Sequence, residues 1–188
     1  MSSELRVDKI IPTTGVPTNG GGGIIQIQQT AKTDTWAGDS ANNYPAFEEV
    51  TGLNVSITPK FSSSKLLVTA SISCNTQYWQ ILGQLWRGIG GASRSVLDAA
   101  TGDAAGNRPR ITFAELSSTG GVDSYNMYSP TVNFLDSPNS TQTVSYSIAL
   151  RGYSASYNVY VNRNHDDRDQ TDYYGRQIST ITVMEVSA

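Results

Sequence analysis

Ser64-Lys-Leu-Leu-Val-Thr-Ala-Ser-Ile-Ser-Cys-Asn-Thr76 decides the fold. Leu66, Val68, Ala70, Ile72 and Cys74 occupy every second position, with Thr69, Ser71 and Ser73 between them. Successive side chains of a strand point to opposite faces, so a period of two predicts a strand with one face buried. A helix would place its apolar residues three and four apart. Cys74, the single cysteine of the chain, closes the inward set. It is expected to be a small buried apolar side chain, because no cationic neighbour is evident to make its thiol reactive.

The same period recurs in both directions along the chain. Residues 24–30, 47–50 and 53–57 read as strands before Pro59 stops the run. Beyond the deciding stretch, 78–87 places Trp79, Ile81 and Leu85 on one face and Tyr78, Leu82 and Trp86 on the other, which predicts a strand covered on both sides. Residues 88–109 form a long loop of small residues, with room for one helical turn at 95–100. Strands are expected again at 110–116, 125–128, 131–135, 143–151, 157–162 and 177–186. In 143–151, Val144, Tyr146, Ile148 and Leu150 alternate with Ser145, Ser147 and Ala149. About ten strands with Gly, Pro and Asn turns between them, and no amphipathic helix of three turns, predict an all-β protein. The expected form is an antiparallel β-sandwich or jelly-roll-like head.

Residues 1–23 are different. Leu5, Val7, Ile10 and Ile11 are followed by Pro12, Pro17 and the run Gly20-Gly-Gly-Gly23. Prolines and glycines at this density exclude a helix, and four glycines lose too much backbone entropy to pack a core. The domain reading is an N-terminal arm over 1–23 and a β-sandwich head over 24–188. As flexible coil the arm spans on the order of 25–30 Å, a reach that suits an anchoring peptide. Leu5, Val7, Ile10, Ile11 and Pro12 are its expected docking residues, and the alternative is a disordered terminus or an arm lying back along its own head.

The totals narrow the function. A chain of 188 residues has room for one domain and an appendage. Charged residues make up 15%, well under the roughly 25% of ordinary soluble domains, so the surface is neutral and hydrogen-bonding. The net charge of −3 and pI near 5.0 argue against a nucleic-acid partner. No stretch approaches the ~20 apolar residues of a spanning helix, and no secretory signal is apparent, so membrane insertion is not expected.

Little in the sequence points to catalysis. His165, the single histidine, lies in the polar run Asn164-His-Asp-Asp-Arg-Asp169 and is expected to be a solvated loop residue. No nucleophile-elbow motif occurs near a strand end. Asp166, Asp167, Asp169 and Asp172 cluster without the spacing of a calcium loop and with Arg168 among them, so a solubilising loop tip is expected and no metal. The glycine runs precede no convincing helix and carry no phosphate-binding ending. No cofactor is implied. The aromatics carry more: Tyr78, Trp79, Trp86, Tyr153, Tyr157, Tyr160, Tyr173 and Tyr174 stand among Asn, Gln, Asp and Arg. Tyrosine and tryptophan beside planar polar groups offer contact area at low entropy cost. A glycan- or receptor-binding surface is therefore read at Trp86, Asp169, Tyr173, Tyr174 and Arg176, with core or interface packing as the alternative.

Three stretches carry a family resemblance. Ser3-Glu-Leu-Arg-Val-Asp-Lys-Ile10, Gly15-Val-Pro17 and the glycine run resemble the N-terminal segment of small virion proteins of tailed phages, cyanophages especially. So do Thr51-Gly-Leu-Asn-Val-Ser-Ile-Thr-Pro59 with Ser63-Ser-Lys-Leu-Leu-Val68, and the closing Ile181-Thr-Val-Met-Glu-Val186. The resemblance implies a non-enzymatic fibre, spike or capsid-decorating protein, commonly a homotrimer. Its arm would dock on a capsid, portal or tail subunit with the head outward, in a virion assembled in the host cytoplasm. It carries over no catalytic residues, and the chain is too short for the shaft of a long tail fibre.

Overall fold

In the computed structural model, residues 23–116 and 125–187 are described. The expected docking residues Leu5, Val7, Ile10, Ile11 and Pro12 lie outside them. In chain order the elements are β1 (Ile24–Lys32), β2 (Trp36–Ala37), the single-turn α1 (Ser40–Asn43), β3 (Glu48–Ile57), β4 (Lys65–Ser71) and β5 (Cys74–Thr76). Then come β6 (Gln80–Ile89), β7 (Ser95–Val96), a 3-10 turn (Asp98–Ala100), β8 (Phe113–Leu116) and β9 (Thr131–Asp136). The last are β10 (Val144–Gly152), β11 (Val159–Val161) and β12 (Ser179–Val186).

Every strand pairing among the described residues is antiparallel. One sheet runs β1-β12-β4-β9; the second runs β3-β10-β6, with β7 and β8 sharing the free edge of β6; a small third sheet runs β2-β11-β5. Taking β7 and β8 as one position and setting the small sheet aside leaves eight positions in chain order. Numbered so, the two large sheets read 1-8-3-6 and 2-7-4-5. That is the order in which two Greek keys wrap a jelly roll. The expected fold class is what the structure has.

Both sheets feed one core. Leu66, Val68 and Ala70 of β4 and Ile181 and Val183 of β12 meet Val50, Leu53, Val55 and Ile57 of β3 and Val144, Tyr146, Ile148 and Leu150 of β10. The period-two reading named most of these residues, but its strand limits need correction in four places. Residues 47–50 and 53–57 are one strand, joined through a bulge where the β10 register slips between Ser147 and Ala149. Gly52 takes a φ of +82° there, a conformation glycine adopts without steric cost, and the slip lets both Val50 and Leu53 face inward. The stretch 64–76 breaks after Ser71: Ile72 and Ser73 turn their N–H groups to Pro130 O and Ser179 Oγ, and β5 joins the small sheet instead. Its inward set nevertheless stays buried through the break, Cys74 included.

Third, Trp79 precedes β6, has a φ of +63° and is 41% exposed against Tyr153, so it is not part of the inward face. Fourth, 125–128 forms no strand; Tyr128 alone bridges to Cys74. The single turn expected at 95–100 is β7 followed by the 3-10 turn.

Two buried carboxylates tie elements together at the end where Gly23 leads into β1. Asp136 of β9 accepts Arg87 Nη1 on both oxygens at 2.8 Å, Tyr146 Oη at 2.6 Å and the N–H of Ser137 at 2.8 Å. Since Arg87 and Tyr146 belong to the second sheet, this group clasps the two sheets. Burial, followed by the hydrogen bond to Asp136, pushes the Tyr146 phenol well above its usual range. Glu185 of β12 accepts Gln26 Nε2 at 2.6 Å and the N–H groups of Lys60 at 2.7 Å and Phe61 at 3.4 Å.

Candidate recognition surface at the loop end

The strand registers place the two ends of the barrel-like body. Ile24, Ile57, Lys65, Ile89, Asp136, Val144 and Val186 lie at one end, here the arm end. Lys32, Ser71, Thr131, Gly152, Gln80 and Ser179 lie at the other, the loop end. The loops of interest all leave from the loop end.

Asn162 builds the base of the largest of them. It follows β11 with a φ of +61°, is fully buried, and has every polar group engaged. Its Nδ2 donates to Lys32 O at 2.8 Å and Asp34 O at 2.9 Å, its Oδ1 accepts Ser179 Oγ at 2.7 Å, and its N–H donates to Ser73 O at 2.9 Å. Gln177 returns to the same point, donating its N–H to Asn162 O at 3.3 Å and accepting the Ser73 hydroxyl on Oε1. Residues 163–176 are thus an Ω-shaped excursion whose two ends are hydrogen-bonded together.

Inside that loop the charges pair off. Arg163 stacks over Tyr160 at 4.3 Å and reaches Asp167 at 3.4 Å. Arg176 meets Asp167 at 2.8 Å and Arg168 meets Asp166 at 3.1 Å. His165 is not the solvated residue expected: its side chain is 25% exposed, Nδ1 lies 2.9 Å from Asp166 Oδ1, the ring sits edge-on to Tyr160, and its N–H donates to Asn75 Oδ1. Asp166 and Asp167 therefore face arginines, while Asp169 stays exposed. Among the described residues no group of His, Cys, Asp and Glu is arranged to hold a metal ion.

Tyr173 and Tyr174 both pack against Tyr125, with ring centres 5.6 and 5.7 Å away. Burial, then a hydrogen bond with Tyr125, raises the Tyr174 phenol above its ordinary value. Tyr125 was missed from sequence, as was Tyr44, over which Arg151 lies at 5.4 Å. Trp79 with Tyr153 and Tyr78 with Tyr157 make two further pairs, at 5.6 and 4.7 Å. Tyr44, Trp79, Tyr125, Tyr153 and Tyr173 are 41%, 41%, 50%, 52% and 67% exposed; Trp79 and Tyr153 flank β6 and β10 directly, and the others lie in the loops that lead into β3, β9 and β12 at the loop end. The signal available in sequence was this adjacency, which only strand direction turns into proximity.

Of the five residues read as a contact surface, Asp169, Tyr173, Tyr174 and Arg176 share the one loop. Trp86 stands apart on β6, half-buried, paired with Ser147 and Val96, its indole N–H donating to Gln84 Oε1 at 3.0 Å. Cys74 is buried at the foot of this end, and burial pushes its thiol far above the usual range.

No family model and no curated protein matches the chain. Among solved structures it is similar to a chain in the structure of infectious bursal disease virus Gt strain, at 9% identity and a TM-score of 0.38, covering 94% of this chain and 47% of that one. A chain in the structure of the Gx strain gives 9% identity and 0.37, covering 94% and 44%. The chain thus spans about half the length of the chains it is similar to. A likeness of this strength carries no argument about function.

Proposed function

We propose that the chain is a non-enzymatic structural protein of a virion of the tailed-phage kind, a homotrimeric fibre, spike or capsid-decorating appendage attached through residues 1–23. The observation that carries this reading is the polarity of the head. The chain comes into the body at the arm end, while the exposed tyrosines, Trp79 and the arginine–aspartate loop gather at the opposite end. A jelly roll held at one end and presenting loops at the other suits a subunit that docks on a particle and faces outward. The sequence resemblance points the same way.

A chain beginning at Gly20 is the test. It is expected to fold and oligomerise yet be missing from purified particles. Normal incorporation of that shortened chain would remove the anchoring role.

A second reading is favoured by the aromatic belt itself: a carbohydrate-recognising tip for host adsorption. It predicts that host-surface saccharides quench the tryptophan fluorescence, that Trp79→Phe abolishes the signal, and that Tyr173→Ala weakens binding at least tenfold. Flat titrations across such glycans retire it.

A further inference from the structure

The two large sheets treat their outer faces differently. On the second sheet the chain covers its own surface. Leu82, Gln84, Ser147 and Ala149 are all buried there, Gln84 Nε2 donates to Arg110 O at 2.7 Å, and Arg94 of the following loop reaches Glu49 at 2.6 Å. This is the face on which the sequence placed the second apolar side of β6, and it is already occupied.

The outer face of β1-β12-β4-β9 is open. Ile27 pairs with Met184, Met184 with Leu67, and Leu67 with Leu135, so four aliphatic side chains form one row straight across all four strands. Their neighbours in sequence, Leu66, Val68, Val183, Glu185 and Asp136, point into the body and are buried, which sets the row outward. Ile27 and Leu135 at its two ends are 52% and 53% exposed. Ile24, 58% exposed, and its partner Val186 extend the patch toward the arm end. Toward the loop end the next row is polar: Gln29, Thr182, Thr69 and Asn133, with Gln29 Nε2 donating to Thr182 Oγ1 at 2.8 Å. A shallow trough of about 490 Å³ lies over this face, floored by Thr69, Ala70 and Thr182.

We propose that this face is the contact between copies of the chain, its occupant being a second copy. The inference rests on the assembling-subunit reading above and names the surface that reading requires. Three features select a second copy. The side chains are aliphatic rather than aromatic, which suits protein-core packing rather than sugar stacking. An exposed sheet face is buried well by other such surfaces, and the same face of three copies can be turned toward one axis, as the trimer above requires. The area also fits. The six side chains leave roughly 400 Å² of aliphatic surface in water, the size at which patches on monomers mark interaction sites. Framed by the polar Gln29–Asn133 row in the usual proportion, that is the centre of a contact of roughly 700 Å² per subunit, near the ~800 Å² of a standard interface.

The test is the mass of the full-length chain in solution, by light scattering at micromolar concentration. The unsubstituted chain is expected at a multiple of 20.2 kDa. The double variant Ile27→Asp with Leu135→Asp is expected at the monomer mass, its dissociation constant raised at least a hundredfold. Both sites are half-exposed, so folding should survive. The milder pair Ile27→Gln with Leu135→Gln, checked by circular dichroism, gives the same reading should the aspartates perturb the sheet. An oligomer unchanged by a folded variant overturns the proposal, since another surface then holds the copies. A monomeric full-length chain overturns it too. If that monomer associates once residues 1–22 are removed, the occupant is the chain's own leader. None of these outcomes touches the particle-incorporation result, so a monomer that is still lost from particles on truncation would remove the interface and leave the virion reading standing.

Discussion

Asn162 shows what a single residue can contribute to the loop end. Its φ of +61° is one that asparagine tolerates, and its side chain joins the end of β1, the turn after it and the start of β12. Replacing it with alanine leaves the Lys32 and Asp34 carbonyls and the Ser179 hydroxyl without this partner, at a left-handed φ that alanine adopts less readily than asparagine. Asn162→Ala is expected to cost about 2–4 kcal/mol, read as a lower urea midpoint with an unchanged slope. A loss under about 0.5 kcal/mol would mean that water replaces these bonds. Nothing in the local sequence distinguishes Asn162 from the asparagines and aspartates that follow it, because its partners come from three other segments.

Between elements, carboxylates do what apolar packing cannot do alone at the arm end. Glu185 is fully buried, and burial opposes its ionisation. Hydrogen bonds from Gln26 and the N–H groups of Lys60 and Phe61 outweigh that and hold its carboxyl below the usual glutamate range. Lowered in the folded state, its pKa makes the charged form a source of stability above the ordinary glutamate value. That contribution is lost as pH falls through the folded value. The stability gap between the native chain and Glu185→Gln is therefore expected to be widest near pH 7 and to narrow from about pH 5 downward. A gap that stays constant to pH 3 would show that the charge contributes nothing. The alternation Ile181-Thr-Val-Met-Glu-Val186 announces β12 as a strand and puts Glu185 on the same side as Ile181 and Val183. It does not say what meets the carboxylate there. The answer lies in Gln26, 159 residues away.

For the whole molecule, polarity is the governing feature. Four exposed tyrosines and Trp79 lie at the loop end, with Ile178 beside them, while Ile24, Ile27 and Leu135, together with the aromatic Phe61, are exposed toward the arm end and the open sheet. On the readings proposed above, the first is a recognition surface and the second a contact between copies. If residues 1–23 serve as an anchor rather than as part of the head, the chain beginning at Gly20 is expected to melt within about 2 °C of the full-length protein. A fall of more than about 5 °C would mean that the arm packs on its own head, against the anchoring role proposed for it.

The all-β class and most of the core were legible in the sequence alone, because a period of two is a local property and each strand displays it without its partners. Leu66 to Cys74 and Val144 to Leu150 needed nothing else. The same property could not tell that the run 64–76 changes sheets after Ser71, since alternation records burial and not pairing. Nor could it tell that β10 would also bury Ser147 and Ala149, or that Trp79 would turn outward. Which outer face stays bare, and which tyrosines gather at one end, follows from strand order and direction. Those are set by pairings between segments far apart in the chain, and only the folded molecule brings such segments together.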